Sequence, residues 1–481
     1  MTISFQKLKK IRDEFPPSKD SLRFDGNDIS NPLGSFHPVT AQYVERIIKA
    51  SSNSSCALDP IPTSVLKQCT DEMIPTLQQI INKSLVNSQV PNELKHAIIL
   101  PRVKKVGQSL EPTNYRPVSN LPYLSKLLEQ SAIDQLDSHF KSNGLYEKYQ
   151  SAYKPRHSTE TALIHITNSL LQSMDKNHVI FLALLDLSAA FDVVDHELML
   201  QRFEKSQGVN DQVLSWIESY LSNRTQQTCI DGQLSSKRDL QCGFPQGSKM
   251  GPRLYQKYTE PLGKLVQSAI LLYHFYADDS QLWKSAKATS TEAIINAKKR
   301  LESGLHLIAE WMCDNKLKLN QSKTEFLIIG SDKNRKNVEE QFIDFGTERV
   351  FSVPTATNLG ITIDERMSFL PQIAKVVKSC RFYIHKIWKI RKYLLTKTAK
   401  DVLLVYKALN GLAPEYMTEM LKPYKPSRTL RSSEKNLLEE PRYRLKSFGL
   451  RSFEVAAPRL WNTLSPSIRN SASVTIFKKR T

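Results

Sequence analysis

Two apolar runs that end in acids constrain this chain more than any other feature. Residues 275–280 read Phe275-Tyr276-Ala277-Asp278-Asp279-Ser280, flanked by Ile270-Leu271-Leu272-Tyr273 and Gln281-Leu282-Trp283. That is the pattern of a hairpin with adjacent carboxylates at its tip. Well upstream, Val179-Ile180-Phe181-Leu182-Ala183-Leu184-Leu185 reads as a buried strand and ends in Asp186. An acid at one strand end and two at a hairpin tip beside it would form a cage for divalent cations, because hard cations such as Mg²⁺ take oxygen ligands. Two such ions roughly 3.5–4 Å apart stabilise both the attacking and the leaving oxygen of an in-line phosphoryl displacement.

Other segments follow in order. Asn114-Tyr115-Arg116-Pro117-Val118-Ser119, Gln150-Ser151-Ala152-Tyr153 and Ser158-Thr159-Glu160-Thr161-Ala162 precede Asp186, which is followed by Phe191 and by Gly243-Phe244-Pro245-Gln246-Gly247-Ser248. Leu317-Lys318-Leu319-Asn320, Lys323-Thr324 and Asn358-Leu359-Gly360 come after the hairpin. Together, over roughly residues 58–370, they resemble the reverse transcriptase of animal non-LTR retrotransposons, the LINE elements of the jockey and chicken-repeat type.

The resemblance implies an α+β right-hand polymerase fold of fingers, palm and thumb, with an antiparallel palm sheet backed by helices. It implies that Asp186, Asp278 and Asp279 are the catalytic acids and hold two Mg²⁺ ions, with Mn²⁺ as a substitute. It places the backbone of Leu187 near the incoming triphosphate, and Phe191 under the nucleotide sugar, where a ring excludes a 2′-hydroxyl. Gln246 and Gly247 would form a loop against the template and the nascent base pair. Arg116 and Lys104 would reach the triphosphate, and Lys323 is the candidate proton donor to the leaving pyrophosphate. The implied partners are an RNA template, a DNA primer and deoxynucleoside triphosphates. His196, beside Asp195, has no partner ligands at helical spacing and reads as a cap or a satisfied polar residue.

The chain departs from that pattern in places. Lys249 and Arg253 put charge where a helix normally packs under the palm, and Pro261 would end that helix early. The stretch between the early thumb and Leu404-Val405-Tyr406-Lys407-Ala408-Leu409-Asn410-Gly411 is shorter than usual, and only about fifty residues precede the first match, too few for an endonuclease. A relic that keeps the fold and binds nucleic acid without synthesis is therefore the alternative reading. A viral RNA-templated RNA polymerase fits less well, because Tyr276-Ala277 stands where that family has Gly and Phe191 supplies a bulky gate.

Composition adds organisation. A chain of 481 residues implies two to four lobes, and 40% hydrophobic residues with only 16 glycines describe a globular protein. The net charge of +19 is concentrated at one end: residues 371–481 hold 24 Lys and Arg against 7 Asp and Glu, the rest 43 against 41. That is the footprint of a polyanion-binding lobe. Six scattered cysteines without a Cys-x-x-Cys pair argue for a reducing compartment. The absence of a signal-like start or a long apolar run leads us to expect a soluble intracellular protein, in nucleus or cytoplasm, of unspecified oligomeric state.

The divisions expected are a loosely ordered lead-in at 1–57 with one helix near Thr40–Ala50, a reverse transcriptase domain at 58–365, a shortened thumb at 366–410 and a basic, mostly helical region at 411–481. Within them the spacing predicts a helix over Met73–Leu85, a strand over His96–Val103 ending in Lys104-Lys105, and a helix with Leu124, Leu128, Ala132, Leu136 and Phe140 on one face, closed by Asn143-Gly144. Thr289 and Glu292 read as a capping box for a helix ending at Trp311, and helices are expected over Ala374–Leu394 and Lys400–Leu409.

Overall fold

The computed structural model describes residues 11–15, 29–53, 56–104, 109, 111, 114–346, 348–391, 396–413, 415–424, 436–442 and 452–480. Lys105, Pro16-Pro17, Ser54-Ser55, Leu394 and the Lys425–Arg428 part of the basic segment fall outside the described residues. The architecture is α+β, and the chain divides into Met1–Gln372 and Ile373–Thr481.

The first unit is organised around a four-stranded antiparallel sheet, ordered Leu272–Tyr276, Asp279–Lys287, His178–Leu185, Glu325–Ile329. His178–Leu185 is central because it is apolar on both faces. Val179, Phe181, Ala183 and Leu185 enter the main core, while Ile180, Leu182 and Leu184 pack with Ile166, Leu170, Trp283 and Leu327 on the other side. The helix Thr291–Asp314 lays Ile294, Ala297, Leu301, Leu305 and Ile308 on the main-core face. Its cap is Ser290, whose hydroxyl accepts the Ala293 N–H at 3.2 Å, so the expected Thr289–Glu292 box is one residue out of register. The helix also runs past Trp311 to Asp314.

A second sheet joins Tyr115–Asn120 antiparallel to His96–Val103, which pairs in parallel with Thr225–Ile230. The helices Thr70–Val86 and Tyr123–Ser142 pack on each other; the latter buries Leu128, Ala132, Leu136 and Phe140 and stops at Asn143-Gly144, where Gly144 has φ +65°. The helix expected near Thr40–Ala50 is present in the lead-in. Ala41–Ala50, capped by Thr40, buries Val44, Ile47 and Ile48 in the main core. Pro261 does separate two helices, Met250–Tyr258 and Pro261–Ser268, and opens the second. Lys249 and Arg253 are not stranded charges: the Lys249 ammonium donates to Gln130 Oε1 at 3.0 Å, and Arg253 pairs with Asp137 at 3.2 Å.

In the second unit one apolar core draws on both sides of residues 410/411. Thr396–Leu409 buries Val402, Val405 and Tyr406 in one core with Leu438, Ala457, Trp461 and Phe477, because its apolar face needs the later helices to cover it. The Tyr406 and Phe477 rings stack at 4.2 Å. The helix Leu370–Arg391 leaves Ile373, Val376, Tyr383 and Ile384 exposed. No helix among the described residues is long and apolar enough to cross a membrane.

Candidate active site

The hairpin between Leu272–Tyr276 and Asp279–Lys287 closes on the pair Tyr276 and Asp279, which leaves Ala277 and Asp278 as its turn. Ala277 has φ +57°, a left-handed conformation that costs a side-chain-bearing residue energy and persists only where neighbours hold it. Gln150 is the holder. Its Oε1 accepts the Ala277 N–H at 3.0 Å and its Nε2 donates to the Ala277 carbonyl at 3.3 Å. The register pairs Leu185 with Ser280, so the next residue, Asp186, emerges beside Asp279.

The chain beyond Asp186 is stitched to the segment Leu317–Asn320. The Ser188 N–H donates to the Lys318 carbonyl at 2.8 Å, and the Asn320 N–H to the Asp186 carbonyl at 2.9 Å. Asp186 Oδ2 lies 3.0 Å from the Lys323 ammonium and 3.4 Å from Asn320 Nδ2. Asp278 is pushed up by burial and by the Asp186 charge, against the pull of Arg116 and Lys323. Asp279 is pushed up to about 6 by desolvation and by the charges of Asp278 and Asp186, although its outer surface stays open to water. The three acids therefore feel one another. They do not form a ready cage: among the described residues, no three His, Cys, Asp or Glu side chains stand together at metal-ligand spacing. The donor set nonetheless suits a hard divalent cation, since mutually repelling carboxylates are what such an ion relieves.

Beside the acids opens a cavity of about 600 Å³. Of the residues singled out in the sequence, Lys104, Arg116, Leu187, Phe191, Gln246, Gly247, Asp278 and Lys323 line it; Asp186 and Asp279 do not. The Leu187 side chain turns into the core. Phe191 lies stacked on Tyr255 with ring centroids 4.4 Å apart, and Tyr153 meets it edge-on at 6.4 Å. Gln246 donates to both oxygens of Asp192 at 2.9 and 3.0 Å, and its carbonyl accepts the Ser119 N–H at 2.7 Å. Gly247 has φ +140°, and a Cβ there would stand 2.3 Å from the Ser119 carbonyl oxygen, so no other residue fits unmoved. His196 donates from Nε2 to the Gly243 carbonyl, 2.8 Å away, as a satisfied polar residue.

Sequence reasoning passed over four residues at this site. Asp192, raised to about 6 by burial, ends the run that begins at Asp186. Gln150, Tyr153 and Asn320 stand inside segments that carried the resemblance, but their contacts bridge more than a hundred residues in each case, or in the case of Tyr153 cross to another strand's loop.

Residues 103–363 match the family model of the reverse transcriptase (RNA-dependent DNA polymerase). Among curated proteins, the chain is 27% identical over 394 residues to the probable RNA-directed DNA polymerase from transposon BS of Drosophila melanogaster, covering 79% of this chain and 42% of that protein. It is 26% identical over 294 residues to the RNA-directed DNA polymerase from mobile element jockey of Drosophila funebris, covering 60% and 31%. A similar match, 23% identical over 419 residues, joins it to the probable RNA-directed DNA polymerase from transposon X-element, covering 86% and 43%. The chain thus spans less than half the length of each of these relatives. With the family model matching more than half of it, and with relatives of this kind, the chain belongs to the reverse transcriptase family, in its non-LTR, LINE-type branch.

Proposed function

We propose that this chain is an RNA-directed DNA polymerase that extends a DNA primer along an RNA template from deoxynucleoside triphosphates. One observation carries the reading: three mutually coupled acids at the ends of adjoining strands, beside a pocket that also holds Arg116 and Lys323. In this reading Met1–Gln372 supplies fingers and palm, and the helix Leu370–Arg391 begins the thumb. Asp186, Asp278 and Asp279 would hold two Mg²⁺ ions, with Mn²⁺ as a substitute. When bound, such ions lower the pKa of the primer 3′-hydroxyl and neutralise charge on the triphosphate.

The chain's own residues do the rest. Arg116 presents a planar fork to phosphate oxygens. Lys323, which pairs with Asp186 at the pocket's edge, would donate a proton to the leaving pyrophosphate. Phe191, immobilised on Tyr255, excludes a 2′-hydroxyl by contact. Gln246 and Gly247 bring backbone against the nascent pair, with Asp192 fixing the Gln246 amide. The basic end, residues 371–481, grips the template–primer duplex through phosphates, so duplex binding weakens with salt.

The test is extension of a DNA primer on an RNA template by the purified chain with Mg²⁺. Incorporation of deoxynucleotides supports the reading. Salt-sensitive duplex binding without any extension, in Mg²⁺ or Mn²⁺, would instead make the chain a binding relic.

A further inference from the structure

The helix Tyr123–Ser142 buries a carboxylate whose partners lie far along the chain. Glu129 is 1% exposed. Its Oε2 accepts the N–H groups of Lys249 at 2.5 Å and Met250 at 3.2 Å, and its Oε1 accepts the Tyr220 hydroxyl at 3.3 Å. Those two amides open the helix Met250–Tyr258, whose N-cap residue, Lys249, makes no side-chain cap bond. Helix-start amides lack partners within the helix, and the dipole favours negative charge there. The balancing cation is Arg224, equally buried, which lies over the Tyr220 ring at 4.1 Å and donates through Nε to the Tyr220 carbonyl at 2.6 Å.

What stands immediately before those amides is the pocket loop. Ser248 Oγ accepts the Gly251 N–H at 3.0 Å, and three residues before Lys249 the Gln246 carbonyl accepts from Ser119. The loop is thus held at two ends: by Ser119 on one side and by Glu129 on the other. A carboxylate holds an amide pair about twice as strongly as a neutral acceptor and holds both at once.

We propose that Glu129 is a positioning residue for the nucleotide pocket: by gripping the amides of Lys249 and Met250 it sets where Gln246 and Gly247 stand. The proposal rests on reading that pocket as the polymerase site. Glu129 touches no substrate, and its effect passes through the loop.

The experiment compares the full chain with Glu129→Gln in two measurements. Steady-state primer extension is expected to lose roughly tenfold in kcat/KM for the incoming nucleotide, carried by KM with kcat little changed. Amide hydrogen exchange, which needs no activity, is expected to quicken selectively over Gly243–Gly251 while the helix Tyr123–Ser142 stays protected. Should Glu129→Gln fail to fold, Glu129→Asp keeps the charge opposite Arg224 but withdraws it from the amides, and the same selective exchange is expected. Exchange that is unchanged over Gly243–Gly251, or that rises evenly across the chain, overturns the proposal, as does an unaltered KM in an active enzyme. If the wild type extends no primer, the reading of the pocket falls and the exchange result alone decides whether Glu129 places the loop.

Discussion

The two ends of the helix-backed sheet bury charge in opposite ways. Under the sheet, Arg202 is 3% exposed and donates to the Tyr258 carbonyl and the Asn315 side chain, with the rings of Tyr258 and Trp311 at 5.0 and 5.5 Å. Lys257, 2% exposed, donates to the Leu145 carbonyl and lies 4.1 Å from the centroids of both Phe140 and Tyr146. These cations are met by carbonyl and amide oxygens and aromatic faces, with Glu260 acting on both and Lys154 sharing the Tyr146 ring with Lys257. At the hairpin, three acids face one another instead, and Asp278 and Asp279 are pushed up, first by burial and then by the neighbouring acids. A buried cation among rings and carbonyls belongs to the architecture; crowded acids that only Lys323 and Arg116 partly offset suit something that arrives later.

The comparison breaks most visibly in catalysis. Asp278→Asn should lower primer extension by roughly a thousandfold or more, measured as kcat, because it removes a carboxylate proposed to hold the cations that would neutralise the reacting phosphates. A tenfold loss or less would place Asp278 outside the chemistry.

Phe191→Ala should relax the discrimination between deoxy- and ribonucleotides by roughly ten- to a hundredfold in relative kcat/KM, with deoxynucleotide use little changed, since a contact is removed and no attraction is lost. Unchanged discrimination returns the Phe191–Tyr255 stack to the architectural side.

Lys257→Met sharpens the other side. Burial pulls the Lys257 ammonium down to about 7, so between pH 7 and its ordinary range near 10.5 the unfolded chain binds more protons than the folded one. Stability must then rise with pH across that window, by at most about 1.4 kcal/mol per pH unit from this group. Chemical denaturation at pH 7 and pH 9 should show the wild type gaining on the variant. A constant difference would mean that Lys257 is charged in the fold throughout.

Much of the acid end was legible because it obeys short-range rules. A run apolar at every position must be a central strand, and an acid that ends it can only emerge at the sheet's edge. The boundary errors have equally local causes: the one-residue slip from Thr289 to Ser290 follows from two adjacent hydroxyl residues, either of which could cap. The Ala41–Ala50 helix was undervalued since a polar segment hid Val44, Ile47 and Ile48 at helical spacing. Gln150 under the hairpin and Glu129 under the loop could not be read at all, for their bonds span 127 and 120 residues and leave no period in the sequence. Lys257 was missed for a different reason: nothing in its neighbours announces that two rings and a carbonyl will enclose it.

Thermal melting of the wild type and Asp278→Asn at pH 7.5 tests the central claim most directly. If the acid end is an unrelieved like-charge cluster kept for cations, the variant melts higher than the wild type in EDTA, by about 2 °C or more, and Mg²⁺ raises the wild type while leaving the variant nearly unmoved. A variant that melts lower in EDTA, with Mg²⁺ shifting both proteins equally, would contradict the account.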